Sequence, residues 1–410
     1  MAAAATLTTF DAMMKDYYTD ERVENMIYAD NPFLALIPKD EKFPGRKLPI
    51  PIVYGNPMGR SANFAQAVEQ SALTTSKVEA FELTRVKDYG LVTIDSELIE
   101  ASDGDDGSFL EAQTVEVDGI INALTRSLAI SMFRKGWGKI GTIGSSTGST
   151  ITLSPISDAH NFEIGMIVVF SSSEDAATLR DSAEELTVSG VNRNTGVITF
   201  TSAVSGIASI ADGDSIFVSG DRQDSATPTR LKVAGLEDWC PATAPSASEN
   251  FFAVDRSVDS RLYGSSYNGA SDDISDALIT GASKAAALGY KLDHFFLSFD
   301  KYAELEKELQ DGVRYVDLKG PGEIGFRGIA LNGPRGPIKV LADQNCPSNR
   351  AFGVQMKYLK LRTMGKCIKA LGGDGLQMLR MASADGVEIR YGYRGNMSCS
   401  APGSLVNVQL

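Results

Sequence analysis

Residues 108–136 read "SFLEAQTVEVDGIINALTRSLAISMFRKG", and this stretch decides the fold. Ser108 and Glu111 have the spacing of a capping box, and two basic residues precede the stop at Gly136. Between these ends, apolar residues recur every three, four or seven positions: Leu110, Val117, Ile121, Leu124, Leu128 and Met132. The pattern predicts one helix over about 108–135, roughly 42 Å long at 1.5 Å per residue. Few compact domains contain so long a rod.

A proline-rich apolar strap precedes the helix. Residues 31–54 read "NPFLALIPKDEKFPGRKLPIPIVY" and contain five prolines. Because proline fixes φ and lacks an N–H donor, the strap is predicted to be extended rather than helical. An extended strap has no second face on which to bury its large apolar residues: Phe33, Leu34, Leu36, Ile37 and Phe43. It must therefore either fold back along its own domain or lie on a neighbouring subunit.

Between the strap and the helix the sequence predicts a long hairpin. "RKLPIPIVY" (46–54) favours an outgoing strand, and "SKVEAFELTRVKDYGLVTID" (76–95) favours the returning one. The residues between them, 55–75, are mostly small or polar and offer little to anchor a core. We expect them to form the tip of a mobile loop.

After the helix, the composition changes over residues 140–220. Short β-branched segments alternate with Gly, Asn and Asp turns, a pattern typical of a small antiparallel barrel or sandwich. Nine acidic and two basic residues give this stretch a net charge of −7. We expect an inserted, strongly solvated β-domain.

The rest of the chain mixes helices and strands. Residues 272–291 predict a helix that can pack closely through the small residues Ala277, Gly281 and Ala285. "HFFLSFDKYAELEKELQDG" predicts a strand, a cap at Ser298 and a helix that stops at Gly312. Strand-like segments follow to the end, so the fold class is α+β.

Composition limits the possible functions. A chain of 410 residues exceeds the roughly 250–300 at which a single core stops growing, so two or three lobes are expected. The net charge of −13 argues against affinity-driven binding of nucleic acid or anionic lipid by the bulk surface. No apolar run approaches the ~18 residues of a membrane span, and the first residues do not resemble a signal peptide. Four widely spaced cysteines favour a reduced compartment: Cys240, Cys346, Cys367 and Cys399.

Two short motifs match nucleotide or hydrolase signatures without the required context. "GPGEIG" has glycines at 320, 322 and 325, but the segment after it favours strand or turn where a dinucleotide site needs a helix. "GSSTG" centres on Ser146 without a strand-to-helix elbow, so we interpret it as a turn.

Side chains for catalysis or metal binding are scarce. The two histidines, His160 and His294, have no cysteine or carboxylate at ligand spacing. "DGDDG" (103–107) resembles a calcium loop, but position 12 is Thr114 rather than Glu. We therefore predict no catalytic, cofactor-binding or metal-binding residues and no cofactor.

One basic run lies near the C-terminus. It contains no acid and only Tyr358 as an aromatic, which disfavours a stacking platform for nucleic acid. A solvated strand face, or a seam against an acidic neighbour, fits it better: Lys357, Lys360, Arg362, Lys366 and Lys369.

The order of these parts resembles the tailed-bacteriophage major capsid proteins of the HK97 fold. Five phrases support the resemblance locally: "ERVENMIYADNPFLALIPK", "VKDYGLVTIDSELIEA", "HFFLSFDKYAELEKEL", "GIALNGPRGPIKVLADQNCPSNRAFG" and a terminal "RGNMSCSAPGSLV". It implies an N-terminal arm (1–45), an E-loop (46–90) and a P-domain with the long spine helix (91–139 and 362–410). It also implies an A-domain (223–361), with 140–222 as an inserted β-domain.

The resemblance implies a structural protein rather than an enzyme. Such subunits form pentamers and hexamers of an icosahedral shell that encloses double-stranded DNA without sequence-specific contacts. Arm and E-loop would lie across neighbouring subunits, so the strap would be covered in trans. A scaffolding protein separate from this chain, a portal and a decoration protein are the implied partners. The implied location is the virion, after assembly in the bacterial cytoplasm.

Two alternatives stay open. An encapsulin-type compartment would use the same fold around a cargo enzyme, although the large insertion and long E-loop favour a virus. A hydrolase built on Ser146 or Cys346 with His294 would instead require a monomer whose activity is lost in His294→Ala.

Overall fold

The computed structural model describes most of the chain. It covers residues 26–28, 30–73, 75–95, 106–204, 210–247, 249–309, 315–319, 325–371, 378–381 and 385–410. Everything below refers to these residues.

The chain begins with the strap and the hairpin. The strap contains a short helix, α1 (Pro32–Leu36), and a two-residue strand, β1 (Lys39–Asp40). The predicted hairpin is present as β2 (Lys47–Gly55) paired antiparallel with β3 (Lys77–Thr84). A ten-residue helix, α2 (Phe64–Leu73), lies between these strands, with none of its residues buried. The sequence analysis expected only a loop there.

The returning segment of the hairpin is two strands rather than one. It breaks at Arg85, and β4 (Val86–Asp95) leaves the hairpin to join another sheet. The E-loop boundary expected at residue 90 therefore falls inside β4.

The long helix, α3, spans Asp106–Phe133, 28 residues. Ser108 lies inside it, so the prediction that Ser108 caps the helix was wrong; the helix begins two residues earlier. The predicted apolar stripe is confirmed from Val117 to Met132, where every member is buried, whereas the side chain of Leu110 lies outside the described set. Gly90 of β4 lets the helix approach closely, because a Cβ there would lie 2.5 Å from Ile120 Cγ1.

A closed antiparallel barrel follows the helix. Its strands, in spatial order β10-β5-β6-β9-β8-β7, enclose a core of their own that includes Phe162, Phe170, Ile198 and Ile216. The barrel alternative of the sequence prediction is thus the one observed. The strands are β5 (Lys139–Thr147), β6 (Thr150–Leu153), β7 (Ile167–Ser171), β8 (Leu186–Asn192), β9 (Val197–Phe200) and β10 (Ser215–Val218).

Beyond the barrel the chain alternates between helices and strands. The helices are α4 (Leu236–Trp239), α5 (Ile274–Ala287) and α6 (Phe299–Leu309). A first group of strands is β11 (Asn250–Phe251), β12 (Val254–Asp255), β13 (Ser265–Asn268), β14 (His294–Leu297), β15 (Tyr315–Lys319), β16 (Gly325–Gly333), β17 (Gly336–Ala342) and β18 (Arg350–Val354). The last group is β19 (Leu359–Ala370), β20 (Met378–Arg380), β21 (Gly386–Cys399) and β22 (Val406–Gln409).

Seven of these strands form one mixed sheet in the order β13-β22-β18-β14-β17-β16-β15. Helix α5 packs on it through the predicted small residues, since Ala277, Gly281 and Ala285 are buried and a Cβ on Gly281 would lie 2.6 Å from Val408 Cγ2. The final strand, β22, belongs to this sheet. The sequence analysis placed the boundary between the A-domain and the C-terminal part of the P-domain at residue 362. This boundary does not separate the seven-stranded sheet from the second large sheet, because the C-terminal strand β22 returns to the seven-stranded one.

The second large sheet lies against α3. Its order is β1-β19-β21-β20, with β4 also paired to β21. The strap joins this sheet, because β1 runs parallel to β19 with Lys39 opposite Leu361.

The strap is covered by its own chain, which corrects the expectation that it is extended and covered in trans. Phe33 is 1% exposed, with its ring 5.1 Å from that of Phe133 and 5.0 Å from that of Phe296. Leu34, Ile37 and Phe43 are buried as well, whereas Leu36 is only partly buried. Proline fits at the first turn of a helix, where its missing N–H would have no intrahelical partner, so Pro32 starts α1 instead of preventing it.

Candidate assembly surfaces

The residues of the hydrolase alternative do not form a catalytic group. Ser146 lies on β5 opposite Ile151. Burial raises the pKa of the Cys346 thiol well above its ordinary value, so the thiol is protonated at neutral pH. Neither ring nitrogen of His294 has a hydrogen-bond partner within the described part of the chain, and burial lowers its pKa to about 4. Ser146, Cys346 and His294 therefore do not provide a nucleophile paired with a general base.

The other motifs are structural as far as they are described. Gly325 opens β16, as the sequence predicted, whereas Gly320 and Gly322 lie outside the described residues. Only the last two residues of 103–107 are described, and they belong to α3. The main-chain carbonyl of His160 accepts a hydrogen bond from Arg126. Within the described ranges, no group of three or more His, Cys, Asp or Glu side chains could hold a metal ion.

The basic run is only partly a solvated face. Arg362 forms an ion pair with Asp40 of the strap, and Lys369 donates to the carbonyl of Met364. Lys357 lies over the ring of Tyr358, with its Nζ 4.5 Å from the ring centroid. Among the five, Lys357 and Lys360 are exposed, and the other three are partly buried. The run thus helps to hold the strap on the sheet.

The outward face of this sheet carries exposed apolar residues beside basic ones. Tyr89 and Leu91 of β4 and Met364 of β19 are each between 43% and 52% exposed. Arg394 of β21 lies over Tyr89, 5.9 Å from the ring centroid. Helix α3 packs on the opposite face, where Gly90 meets Ile120.

The hairpin is the most exposed apolar part of the molecule that the structure describes. Its base is buried: Phe81 packs 5.2 Å from the ring of Trp239, and Leu83 is fully covered. Toward its tip no such cover exists; Phe64 is 84% exposed and Leu73 is 79% exposed. Further exposed members are Val53, Met58, Val68 and Val78.

Helix α2 at this tip was missed by the sequence analysis, although a signal was present. Asn63 precedes it and accepts a hydrogen bond from the main-chain N–H of Ala65, as an N-cap residue does. Phe64 and Val68 are four residues apart and so share one side of the helix. Because neither is buried, α2 presents an apolar side to solvent.

Comparisons with known proteins give structural likeness only. No family model matches the chain, and no curated protein matches it. The chain is similar to the capsid asymmetric unit of cyanophage A-1(L), with a TM-score of 0.45 and 10% identity over 93% of this chain and 92% of that one. It is also similar to the capsid of a native GTA particle, with a TM-score of 0.44 and 9% identity over 92% and 89%.

An encapsulin is among the similar structures. The holo-SrpI encapsulin complex from Synechococcus elongatus PCC 7942 matches with a TM-score of 0.43 and 8% identity, over 92% of this chain and 86% of that one.

Among the described helices, none has the length and apolar character needed to cross a membrane.

Proposed function

We propose that this chain is the major capsid protein of a tailed bacteriophage, a structural subunit of the HK97 fold. The observation that carries the proposal is the hairpin: a two-stranded ribbon with a buried base and an apolar helix, α2, exposed at its tip. Large exposed apolar patches mark interaction sites in soluble proteins. In a shell, another copy of the chain would cover this exposed apolar surface.

The domain assignments follow from this proposal. The hairpin is the E-loop, α3 and the sheet it packs on form the P-domain, and the seven-stranded sheet with α5 and α6 is the A-domain. The barrel is the inserted domain, which we place on the outer surface of the shell. The strap is the distal part of the N-terminal arm. The buried apolar residues of the strap are covered within the same chain, so they are not part of any contact that the arm makes in trans.

The proposed partners are other copies in pentamers and hexamers, with a separate scaffolding protein, a portal and a decoration protein during assembly in the bacterial host. The enclosed genome would be double-stranded DNA. A net charge of −13 suits a wall that does not hold the packaged duplex tightly. No catalytic step is part of this function.

The assembly test is a double substitution on α2, Phe64→Ser with Val68→Ser. Both side chains are exposed, so the monomer should fold as before, while the shell should lose its apolar contact. Size-exclusion chromatography and negative-stain microscopy should show closed shells or rings from the unaltered chain. The variant should remain as small oligomers or monomers.

A matched control keeps the helix but leaves its apolar side intact. Gln66→Ser alters an exposed residue on the opposite side of the same helix and should assemble normally. A monodisperse monomer from the unaltered chain at all concentrations would reject the shell function. Normal shells from the Phe64 and Val68 variant would show that the hairpin is not an assembly contact.

A further inference from the structure

A two-residue turn beside the base of the hairpin has an unfavourable backbone. The turn joins β11 to β12, where Phe251 lies opposite Val254. Its two residues, Phe252 and Ala253, have φ of +47° and +69°. Turns of this kind favour Asn and Gly, because a Cβ atom is costly in the left-handed region. The phenylalanine and the alanine therefore cost free energy that contacts elsewhere must offset.

The turn contacts the hairpin on one edge of β3. The main-chain N–H of Glu82 donates to the carbonyl of Phe252 at 2.9 Å. Strand β2 occupies the other edge of β3, where Pro49 lies opposite Glu82. The bond to Phe252 therefore joins the hairpin to the body of the molecule rather than to its own second strand.

A second contact on the same edge lies two residues further along β3. Asn396 of β21 donates from Nδ2 to the carbonyl of Thr84 at 2.8 Å, and its Oδ1 accepts the main-chain N–H of Ala234 at 3.0 Å. Residues two apart along a strand direct their main-chain groups to the same edge. Two contacts on one edge restrict the direction in which the hairpin leaves the body.

The side chain of Phe252 packs where the turn meets the base of the hairpin. Its ring lies 4.4 Å from that of Phe251 and 5.9 Å from that of Trp239. Trp239 is fully buried, and its ring lies 5.2 Å from that of Phe81 in the hairpin. Its indole N–H donates to the carbonyl of Met397 at 3.3 Å. The same tryptophan thus packs against both the turn and the hairpin.

Two arginines hold the residue before the turn. The guanidinium groups of Arg256 and Arg230 lie over the ring of Phe251, 4.1 Å and 5.1 Å from its centroid. Arg256 is only 1% exposed and donates to the main-chain carbonyl of Asp238. Contacts between a cation and a ring are stronger when the cation is desolvated. Strand β11 is therefore firmly held on the body side of the turn.

We propose that Phe252 is a positioning residue for the hairpin. Its ring holds the strained turn in the conformation whose carbonyl accepts the N–H of Glu82, and this contact sets the direction in which α2 is presented to a neighbouring copy. The presentation of α2 rests on the proposed function, whereas the direction of the hairpin is a property of the single chain. If the turn served only to join β11 to β12, Asn and Gly would serve better.

Two variants separate the ring from the turn. Phe252→Asn with Ala253→Gly supplies the residues that this turn favours, so β11 and β12 should stay joined while the ring is lost. Ala253→Gly alone relieves the strain at one residue and keeps the ring, which makes it the matched control. Thermal unfolding should show a higher midpoint for Ala253→Gly than for the unaltered chain. The double variant should still unfold in one cooperative transition.

Hydrogen exchange of the Glu82 main-chain N–H measures the contact directly. Residue-resolved exchange of the unassembled chain should be about tenfold faster in the double variant, as expected for the loss of one main-chain hydrogen bond. In Ala253→Gly the exchange of this N–H should not change. Because Glu82 belongs to β3 and not to the turn, a role of Phe252 confined to the turn would leave its exchange unaltered in both variants.

The direction of the hairpin is measured as a distance within one chain. Spin labels on Glu69→Cys of α2 and Thr93→Cys of β4 use two exposed positions, while the four native cysteines are buried. An excess of unlabelled chain restricts the signal to distances within one molecule. We expect a narrow distribution in the unaltered chain and in Ala253→Gly, and a broad one in the double variant.

Assembly of the unlabelled chains completes the test. Ala253→Gly should form closed shells as the unaltered chain does, whereas the double variant should form fewer closed shells and more irregular ones. A narrow distance together with unchanged Glu82 exchange in the double variant would overturn the positioning role. A broad distance with normal shells would overturn the link to assembly. Absence of shells from the unaltered chain would reject the proposed function, while distance and exchange would still decide the role of Phe252.

Discussion

The strap and the hairpin are both apolar segments that precede the long helix, yet the strap is buried and the tip of the hairpin is exposed. The strap places Phe33 between the rings of Phe133 and Phe296 and is covered by its own chain. The hairpin buries Phe81 at its base and leaves Phe64 in solvent. Apolar content therefore shows that a segment needs cover, but it does not show which chain supplies that cover.

The difference has a local cause. The strap is held close to the body by main-chain pairing, because Leu361 N–H donates to the carbonyl of Pro38 and Gly365 N–H donates to that of Glu41. Toward the tip of the hairpin, as far as its residues are described, β2 and β3 pair with each other. Where a two-stranded ribbon extends past the rest of the fold, no other element packs on its faces to bury its side chains.

The largest expected effect separates the two regions by a single substitution in each. Phe33→Ala should lower the free energy of unfolding by about 3–5 kcal/mol, because it opens a cavity among packed rings. Phe64→Ala should change it by less than about 0.5 kcal/mol, because the side chain is 84% exposed. Urea unfolding of the unassembled chain measures both. Equal losses would mean that the hairpin tip is covered within its own chain.

A smaller effect concerns how the strap is held. Asp343 Oδ2 accepts the main-chain N–H of Phe33 at 3.1 Å, and Oδ1 accepts that of Asn345 at 2.9 Å. Asn31, the residue before α1, makes no side-chain cap, so a distant carboxylate takes that role. Asp343→Ala leaves these donors unpaired and should cost about 1–3 kcal/mol.

The Asp343 effect should depend on pH. Burial raises the pKa of this carboxyl above its ordinary 3.8, although its hydrogen bonds oppose the rise. The native state therefore binds the proton more tightly than the unfolded chain, and the contribution of Asp343 is lost as pH rises through the native pKa. The cost of Asp343→Ala should be larger at pH 4 than at pH 7. Ser257→Ala, on an exposed loop, serves as the control and should show no such trend.

Local patterns predicted the elements whose cause is local. The spacing of Val117, Ile121 and Leu128 predicted the long helix. Ser298 was correctly predicted as the cap of α6, since its Oγ accepts a hydrogen bond from the main-chain N–H of Lys301 at 3.4 Å. The alternation of β-branched residues with turns predicted the barrel. Each of these depends on neighbours a few residues away in the sequence.

The features that were missed depend on distant parts of the chain. Asp343 caps a helix that begins 311 positions earlier, at Pro32. The terminal strand pairs with β13, where Val406 lies opposite Ser265. The expectation of no catalytic, cofactor-binding or metal-binding residues rests on the scarcity of histidine and stays a prediction. Helix α2 is an exception: Asn63 offered a local cap signal, whereas the exposure of the helix depends on what the rest of the fold leaves uncovered.

The smallest expected effect tests whether the hairpin is stiffened by its charges or by its apolar pairs. Lys47 and Glu82 form an ion pair on neighbouring strands, with 58% and 45% of their side chains exposed. Pairs so exposed contribute about 0–1 kcal/mol and are screened by salt, so Glu82→Gln should cost less than about 0.5 kcal/mol. Glu79→Gln, an exposed acid on the same strand, is the matched control.

Hydrogen exchange of the main-chain N–H groups in β2 and β3 measures this directly. If Glu82→Gln leaves their protection unchanged and Phe81→Ala abolishes it, then the buried base alone fixes the ribbon and the tip is free to adapt to whatever covers it. A large loss of protection in Glu82→Gln that vanishes at high salt would instead mean that charge holds the ribbon straight. In that case the contrast with the strap would be one of electrostatics rather than of packing.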